Sequence, residues 1–287
     1  EVARTGLEMV ANRDVPEAAE AKMWIGRSFL KDGDAAKALA TIDAAIAAHG
    51  DSEELPQLLL ARVDAIYELP DRRIESVGLY AEFAAKYPQH DQAAQAQYMA
   101  ALAALDVEDH AAAKTHSDAF LAKYQKDRLA PDVLFVGAEA RLMLKDYPGA
   151  SAQYEKFLSV GSGHDNAPQA RVRLGLALHL EGEFADAAQW LNASVNSIED
   201  ATLKSEALAL VGRSYSELKN FNAAAQALEK SLQAKPDRDQ TDETLLALSE
   251  AYRRLGRDTD AERRLGQLVE KYPDSSLLDE AHFRIAE

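Results

Sequence analysis

Apolar residues recur three and four places apart along nearly the whole chain, and short breaks interrupt them at regular intervals. Leu208, Val211, Tyr215 and Leu218 fall on one helical face, Lys219-Asn220 breaks the run, and Phe221, Ala224, Leu228 and Ser231 begin another. Lys235-Pro236 then stops it, because proline cannot continue a helix. DGD at 32–34 and EGE at 181–183 read as similar breaks, and Tyr87-Pro88 and Tyr272-Pro273 as similar stops. No clear run of alternating β-branched residues competes with this pattern. The pattern predicts an all-α protein of antiparallel helix pairs. Asp51 with Glu54, and Ser276 with Asp279, have the spacing of capping boxes that would start first helices.

The pairs repeat. The segments WIGRSFLKDGDAAKAL, RLGLALHLEGEFADAA, LVGRSYSELKNFNAAA and ALSEAYRRLGRDTDAE align on a small residue in the first helix. Extended along the chain, that anchor falls on Gly26, Asp64, Ala101, Ala138, Gly175, Gly212, Ser249 and Ala286, one step of 38 residues followed by six of 37. A second anchor, twelve residues on, keeps the same steps through Ala38, Ser76, Ala113, Ala150, Ala187, Ala224 and Ala261. Two registers that agree over seven copies mark a repeat architecture, in which each pair buries its apolar faces against its neighbours.

Leu208, Val211, Gly212, Tyr215, Phe221, Ala224, Leu228 and Pro236, with Ile25, Gly26, Phe29, Gly33, Ala38, Ile42 and Ala45 in the first copy, resemble the signature of the tetratricopeptide repeat family. The resemblance implies a right-handed α-solenoid. It covers residues 1–287 as one array: a partial repeat at 1–16, about seven full repeats over 17–275 and a partial repeat at 276–287. The period of 37 departs from the family's 34, and an added turn in each first helix is the expected result. Asp64 and Ser76 stand where small apolar residues belong, and Arg141 where an aromatic belongs. Val2, Leu7 and Val10 suit the second helix of a preceding copy, and both ends fall inside a repeat, so a longer parent chain is expected. Leu277, Leu278, Phe283 and Ile285 would be sticky without a polar cap.

Composition narrows the function. Hydrophobic residues make up 47% and charged residues 28%, which fits a folded protein. The net charge of −16 is spread along the chain, with no basic stripe to hold nucleic acid or an anionic membrane surface. No apolar run is long enough to span a membrane, so direct membrane insertion is not expected. Cysteine is absent, which removes disulfides, thiol catalysis and cysteine-ligated metals.

The stretch SVGSGHDNAP holds Ser162, His164 and Asp165 between glycines, the letters of a nucleophilic site. Two periods earlier the chain reads His90-Asp91, so the stretch fills an inter-repeat slot and is read as a spacer. Its two glycines and missing Tyr-Pro predict a point of flexure at 160–166. His49, His90, His110, His116, His164, His179 and His282 lack metal-ligand spacing, and Asp237, Asp239, Asp242 and Glu243 lack the order of a calcium loop. No catalytic residue, metal or cofactor is expected.

The resemblance implies that the first helices line a concave groove for a protein or peptide partner. Carried onto this chain, the family's contact places give Leu58 and Leu69, then Tyr98, Leu102 and Leu105, then Phe135, Leu142 and Met143, then Val172 and Leu176. Rotation of these residues into the core is the competing reading. The carboxylate clamp of chaperone-tail adaptors is missing, since its first place holds Met23, Ala61, Tyr98, Phe135, Val172, Ala209 and Leu246. DYPGASAQYEKFL at 146–158 is similar to bacterial envelope members, among them the outer-membrane assembly lipoprotein and the Tol–Pal coordinator of cell-wall synthesis. The expectation is a non-enzymatic scaffold in the periplasm or cell envelope, with the cytoplasm as the alternative. A recruiting arm of a larger enzyme and a self-assembling homo-oligomer stay open.

Overall fold

The computed structural model describes residues 2–13, 15 and 17–286. The chain divides into two compact units, Glu1–Leu144 and Lys145–Glu287. The first contains α1 (Val2–Ala11), α2 (Ala18–Lys31), α3 (Ala35–Ala48), α4 (Leu55–Tyr67), α5 (Arg73–Lys86), α6 (Ala93–Asp106), α7 (His110–Lys123) and α8 (Ala130–Met143). The second contains α9 (Tyr147–Val160), α10 (Ala167–Glu181), α11 (Phe184–Ser194), α12 (Ala201–Glu217), α13 (Phe221–Ala234), α14 (Thr241–Arg254), α15 (Asp258–Lys271) and α16 (Leu278–Ala286). No strand occurs among the described residues. Within each unit every helix packs on the next, and the first helices also meet each other, α2 on α4, α6 on α8, α10 on α12 and α12 on α14. This stacking of helix pairs is the local build of an α-solenoid.

The period has a fixed anatomy. In the third pair a 14-residue helix, a three-residue turn, a second 14-residue helix and a six-residue connection make up the 37 residues. First and second helices are equally long there, so the length beyond the family period sits in the connection and not in an added turn of the first helix. Only α12, at 17 residues, is clearly longer, and it follows a 3₁₀ turn at Val195–Ser197 in place of the usual connection.

Each three-residue turn is closed by backbone chemistry. The left-handed residue is the middle one of three at Gly33, Glu108, Lys145, Lys219 and Gly256 and the first of two at Gly182, with φ between 59° and 93°. The following N–H then reaches back to a carbonyl of the first helix, as in Asp34 to Phe29 at 2.9 Å and Asn220 to Tyr215 at 2.8 Å. Asp34, Asp109, Asp146 and Asn220 next cap the second helices by accepting from the N–H three residues on. The capping boxes expected at Asp51–Glu54 and Ser276–Asp279 are out of register: α4 begins at Leu55, after both Asp51 and Glu54, and α16 begins at Leu278, which leaves Ser276 in the connection and Asp279 in the first helical turn.

The anchors lie where the two helices of a pair come closest. A Cβ added to Gly175 or Gly212 would sit 2.4 Å from Leu191 or Leu228, and one on Gly26 would sit 2.5 Å from Ile42. In the second pair Asp64 and Tyr80 occupy the same two places and make a hydrogen bond of 2.7 Å. The aspartate that departs from the small-residue pattern is therefore matched by a tyrosine that departs from the aliphatic one. Leu7 and Val10 pack on Ala11, Ala21 and Ile25, while the side chain of Val2 lies outside the described residues. At the other end Leu277 and Leu278 are partly buried beside Leu245, Leu265 and Leu268, and Phe283 and Ile285 stay exposed.

Candidate protein-binding faces

The serine–histidine–aspartate stretch is a connection built like its neighbours. His164 N–H donates to Gly161 O and Ala167 N–H to His164 O, each at 2.9 Å. Tyr87, His90 and Ala93 make the same two bonds, and so do Tyr124, Asp127 and Ala130. The side chain at the middle place then caps the chain two residues on. His164 Nδ1 accepts from Asn166 N–H at 3.1 Å, His90 Nδ1 from Gln92 N–H at 3.1 Å, and Asp127 Oδ1 from Leu129 N–H at 2.9 Å. The rings of His90 and His164 also stand edge-on to Phe83 and Phe157, both at 5.3 Å. At 160–166, where the sequence predicts flexure, the connection keeps the backbone bonds and ring contact of the one that carries Tyr87-Pro88. The boundary between the compact units falls after Leu144, outside this stretch.

In the first unit the sequence-derived groove residues separate into core and surface. Leu58 is fully buried among Ala19, Met23, Ala61 and Ala65, because α2 packs directly on α4. Leu142 is buried as well. Neither can touch a partner without repacking. Leu69, Tyr98, Leu102, Leu105 and Phe135 are half-buried, and Met143 is 58% exposed. On α8, Asp132, Phe135, Glu139 and Met143 follow one another at spacings of three and four, so they share a face. Burial raises the Tyr98 hydroxyl above its ordinary pKa, and the charges of Asp132 and Asp106 add to the shift. Asp106 accepts a short hydrogen bond from Tyr67, which ties the ends of α4 and α6 together.

In the second unit Val172 is core, covered by Leu191, Leu208 and Val211 because α12 packs on α10, and Leu176 lies half-buried against the same cluster. Within this unit a cleft of about 360 Å³ is lined by both charged and apolar residues, among them His179, Arg213, Glu217, Glu243, Leu246 and Arg284. Ion pairs step from one first helix to the next: Arg173–Glu206 at 3.3 Å, Arg213–Glu243 at 3.2 Å and Arg284–Glu250 at 2.8 Å. His179 lies 2.9 Å from Ser214 Oγ, and burial followed by the Arg213 charge lowers its pKa, which favours the neutral ring.

Sequence reasoning missed Arg238. It occupies the middle place of its connection, where His90 and His164 stand in theirs, yet it is only 7% exposed. Its guanidinium donates to Ser205 Oγ at 3.1 Å, Thr244 Oγ1 at 3.0 Å and the carbonyl of Asp239 at 2.8 Å. Burial lowers its pKa, with Glu206 and Glu243 opposing. Its place in the 37-residue register was the one signal that could have marked it.

Two tetratricopeptide repeat family models match the chain, one over residues 2–53 and 138–203 and the other over 215–282. No curated protein matches. The structure is similar to the C-terminal part of a TPR repeat-containing protein from Cytophaga hutchinsonii, with a TM-score of 0.69 and 14% identity over 90% of this chain and 98% of that one. It is also similar to a tetratricopeptide repeat protein from Parabacteroides merdae, with a TM-score of 0.58 and 12% identity over 94% and 100% of the two chains. A third similarity is to MamA from Desulfovibrio magneticus, with a TM-score of 0.55 and 20% identity over 65% and 99%. At these identities the likeness is one of fold.

Proposed function

Because the chain belongs to the tetratricopeptide repeat family, we propose that it is a non-catalytic scaffold that holds a segment of another protein against the open face of its first helices. The observation that carries this reading is the row of half-exposed apolar side chains on α6 and α8, Tyr98, Leu102, Leu105 and Phe135, beside the exposed Met143. Apolar side chains that stay partly exposed beside one another gain free energy when a partner covers the exposed part. Repeat proteins of this family generally mediate protein–protein interaction, and no helix among the described residues is long and apolar enough to cross a membrane.

The setting we infer is the bacterial envelope, supported by the repeat form DYPGASAQYEKFL. Fractionation of the source cells checks it: recovery in the periplasmic or envelope fraction is expected, and recovery in the cytosol alone removes it. The scaffold itself is tested by placing a photo-crosslinking amino acid at Leu102 or Met143, and as a control at the exposed Ile74 on α5. A discrete crosslinked partner from the first two positions and none from Ile74 is expected. Crosslinking from Ile74 alone would place the binding face elsewhere.

A further inference from the structure

The first helix of the first pair has an open side. Glu20, Trp24, Arg27 and Lys31 of α2 follow one another at spacings of four, three and four, so they share a stripe. α1 covers a different side of α2, at Ala21, Ile25 and Phe29, while Ala19 and Met23 share a core with α3 and α4. Trp24 is left 45% exposed. Its indole N–H donates to Glu20 at 3.1 Å, and the Arg27 guanidinium lies 5.2 Å from the ring centre.

The two cations of this stripe have no acid of their own. Among the described residues neither Arg27 nor Lys31 makes an ion pair or a side-chain hydrogen bond. Asp64 feels the Arg27 charge through space, but its bond is to Tyr80. On later first helices Arg213, Arg253, Arg254 and Arg284 all meet carboxylates. A chain of net charge −16 thus keeps two unpaired cations, one helical turn apart, beside an open indole.

That combination selects the occupant. Alternate residues of an extended segment stand about 6.8 Å apart, close to the roughly 6 Å between side chains one helical turn apart, so one acid can meet each cation. The next side chain on that face of the segment then reaches the indole, where an apolar group gains most, and Glu20 beyond it turns acids away. Nucleic acid needs a longer row of cations, and a second copy of this chain brings −16 of its own. We propose that α2 docks an acidic segment of another protein, its Asp or Glu side chains on Arg27 and Lys31 and an apolar side chain over Trp24. The contact is separate from the α6–α8 strip and does not depend on it.

The test uses an acetylated, amidated hexapeptide of alternating Leu and Asp, with its Leu/Lys counterpart, and reads tryptophan emission at low salt. The second tryptophan, Trp190, is half-buried and donates to Arg171 O, so Trp24→Phe shows which ring responds. The Leu/Asp peptide is expected to shift the emission of the unchanged chain, and Trp24→Phe to remove the shift. Each exposed ion pair changes affinity about two- to threefold, so Arg27→Gln with Lys31→Gln should weaken binding roughly fivefold. Lys126→Gln with Arg128→Gln, the same charge change on another connection, should alter it by less than about twofold, and circular dichroism melts confirm that all variants fold. Equal weakening by both double variants, equal binding of the Leu/Lys peptide, a shift that survives Trp24→Phe, or no shift at millimolar peptide overturns the proposal. Leu102→Ser with Met143→Ser should leave the titration unchanged, whatever becomes of the α6–α8 strip. If that pair abolishes the shift, the peptide sits on α6–α8 and the α2 site is refuted.

Discussion

Tyr80 donates its hydroxyl to the carboxylate of Asp64 at 2.7 Å, across the place where three other pairs set a glycine against an aliphatic side chain. Burial raises the Asp64 pKa, and the Tyr80 hydrogen bond only partly offsets it. The folded protein therefore holds this proton more tightly than the unfolded chain does. That contribution to stability is complete below the ordinary carboxylate pKa and is lost as pH rises through the raised one. Asp64→Asn keeps the acceptor and removes the charge. We expect it to raise Tm by about 2 °C at neutral pH, with the gain closing as the pH falls below the carboxylate range. A gain of the same size at both pH values would mean that charge is not the cause.

Gly212 tests the close crossing. An added methyl would lie 2.4 Å from Cγ of Leu228, a side chain with no exposed surface and so no room to yield. Alanine favours a helix over glycine by about 1 kcal/mol, but overpacking costs about 1–3 kcal/mol, so Gly212→Ala is expected to destabilise on balance. Leu228→Val should recover part of that loss when combined with it. Urea unfolding of the four proteins measures the coupling, and strictly additive effects would argue against the contact.

His164 is expected to act as a connector. His164→Ala should cost about 1 kcal/mol through the lost bond to Asn166 N–H. His164→Asp should cost less, because Asp127 makes the equivalent bond in the preceding connection. Equal losses in the two variants would show that the ring contact with Phe157 matters and the bond does not.

Leu58 and Met143, taken from two different contact places of the family, should behave oppositely. Leu58→Ala opens a void in a fully buried position and is expected to cost about 2–5 kcal/mol in thermal or urea unfolding. Met143→Ser, at 58% exposure, should stay within about 0.5 kcal/mol. A large loss from Met143→Ser would assign that residue to packing.

These pairs show what could be read from the chain alone. The anchors were legible because a close crossing demands a small residue at a fixed step, and Gly26, Gly175 and Gly212 stand at such crossings. Helix type and pair order were legible from apolar spacing. The split between core and surface was not, because Leu58 and Leu102 look alike until one knows that α2 covers the first. The Asp64–Tyr80 bond was hidden for a similar reason: each residue alone looks like an exception, and only their contact sixteen residues apart makes them a pair. At 160–166 the glycines drew the eye and the contact did not: His164 meets Phe157 on the preceding helix, and the sequence marks that only through the register shared with His90 and Phe83.

The recurrent left-handed turn residue at 108, 145, 182, 219 and 256 has a consequence for how the molecule can change in length. Wherever the turns and connections reuse the same backbone bonds, excising one complete helix pair joins two ends that already match. A gene encoding such a chain can gain or lose 37 codons and keep every remaining turn in phase. A deletion that cuts within helices and is not a whole number of pairs puts a capping aspartate or a left-handed residue inside a helix. Length is thus quantised, and a partner's reach can be matched by counting pairs instead of reshaping any one of them.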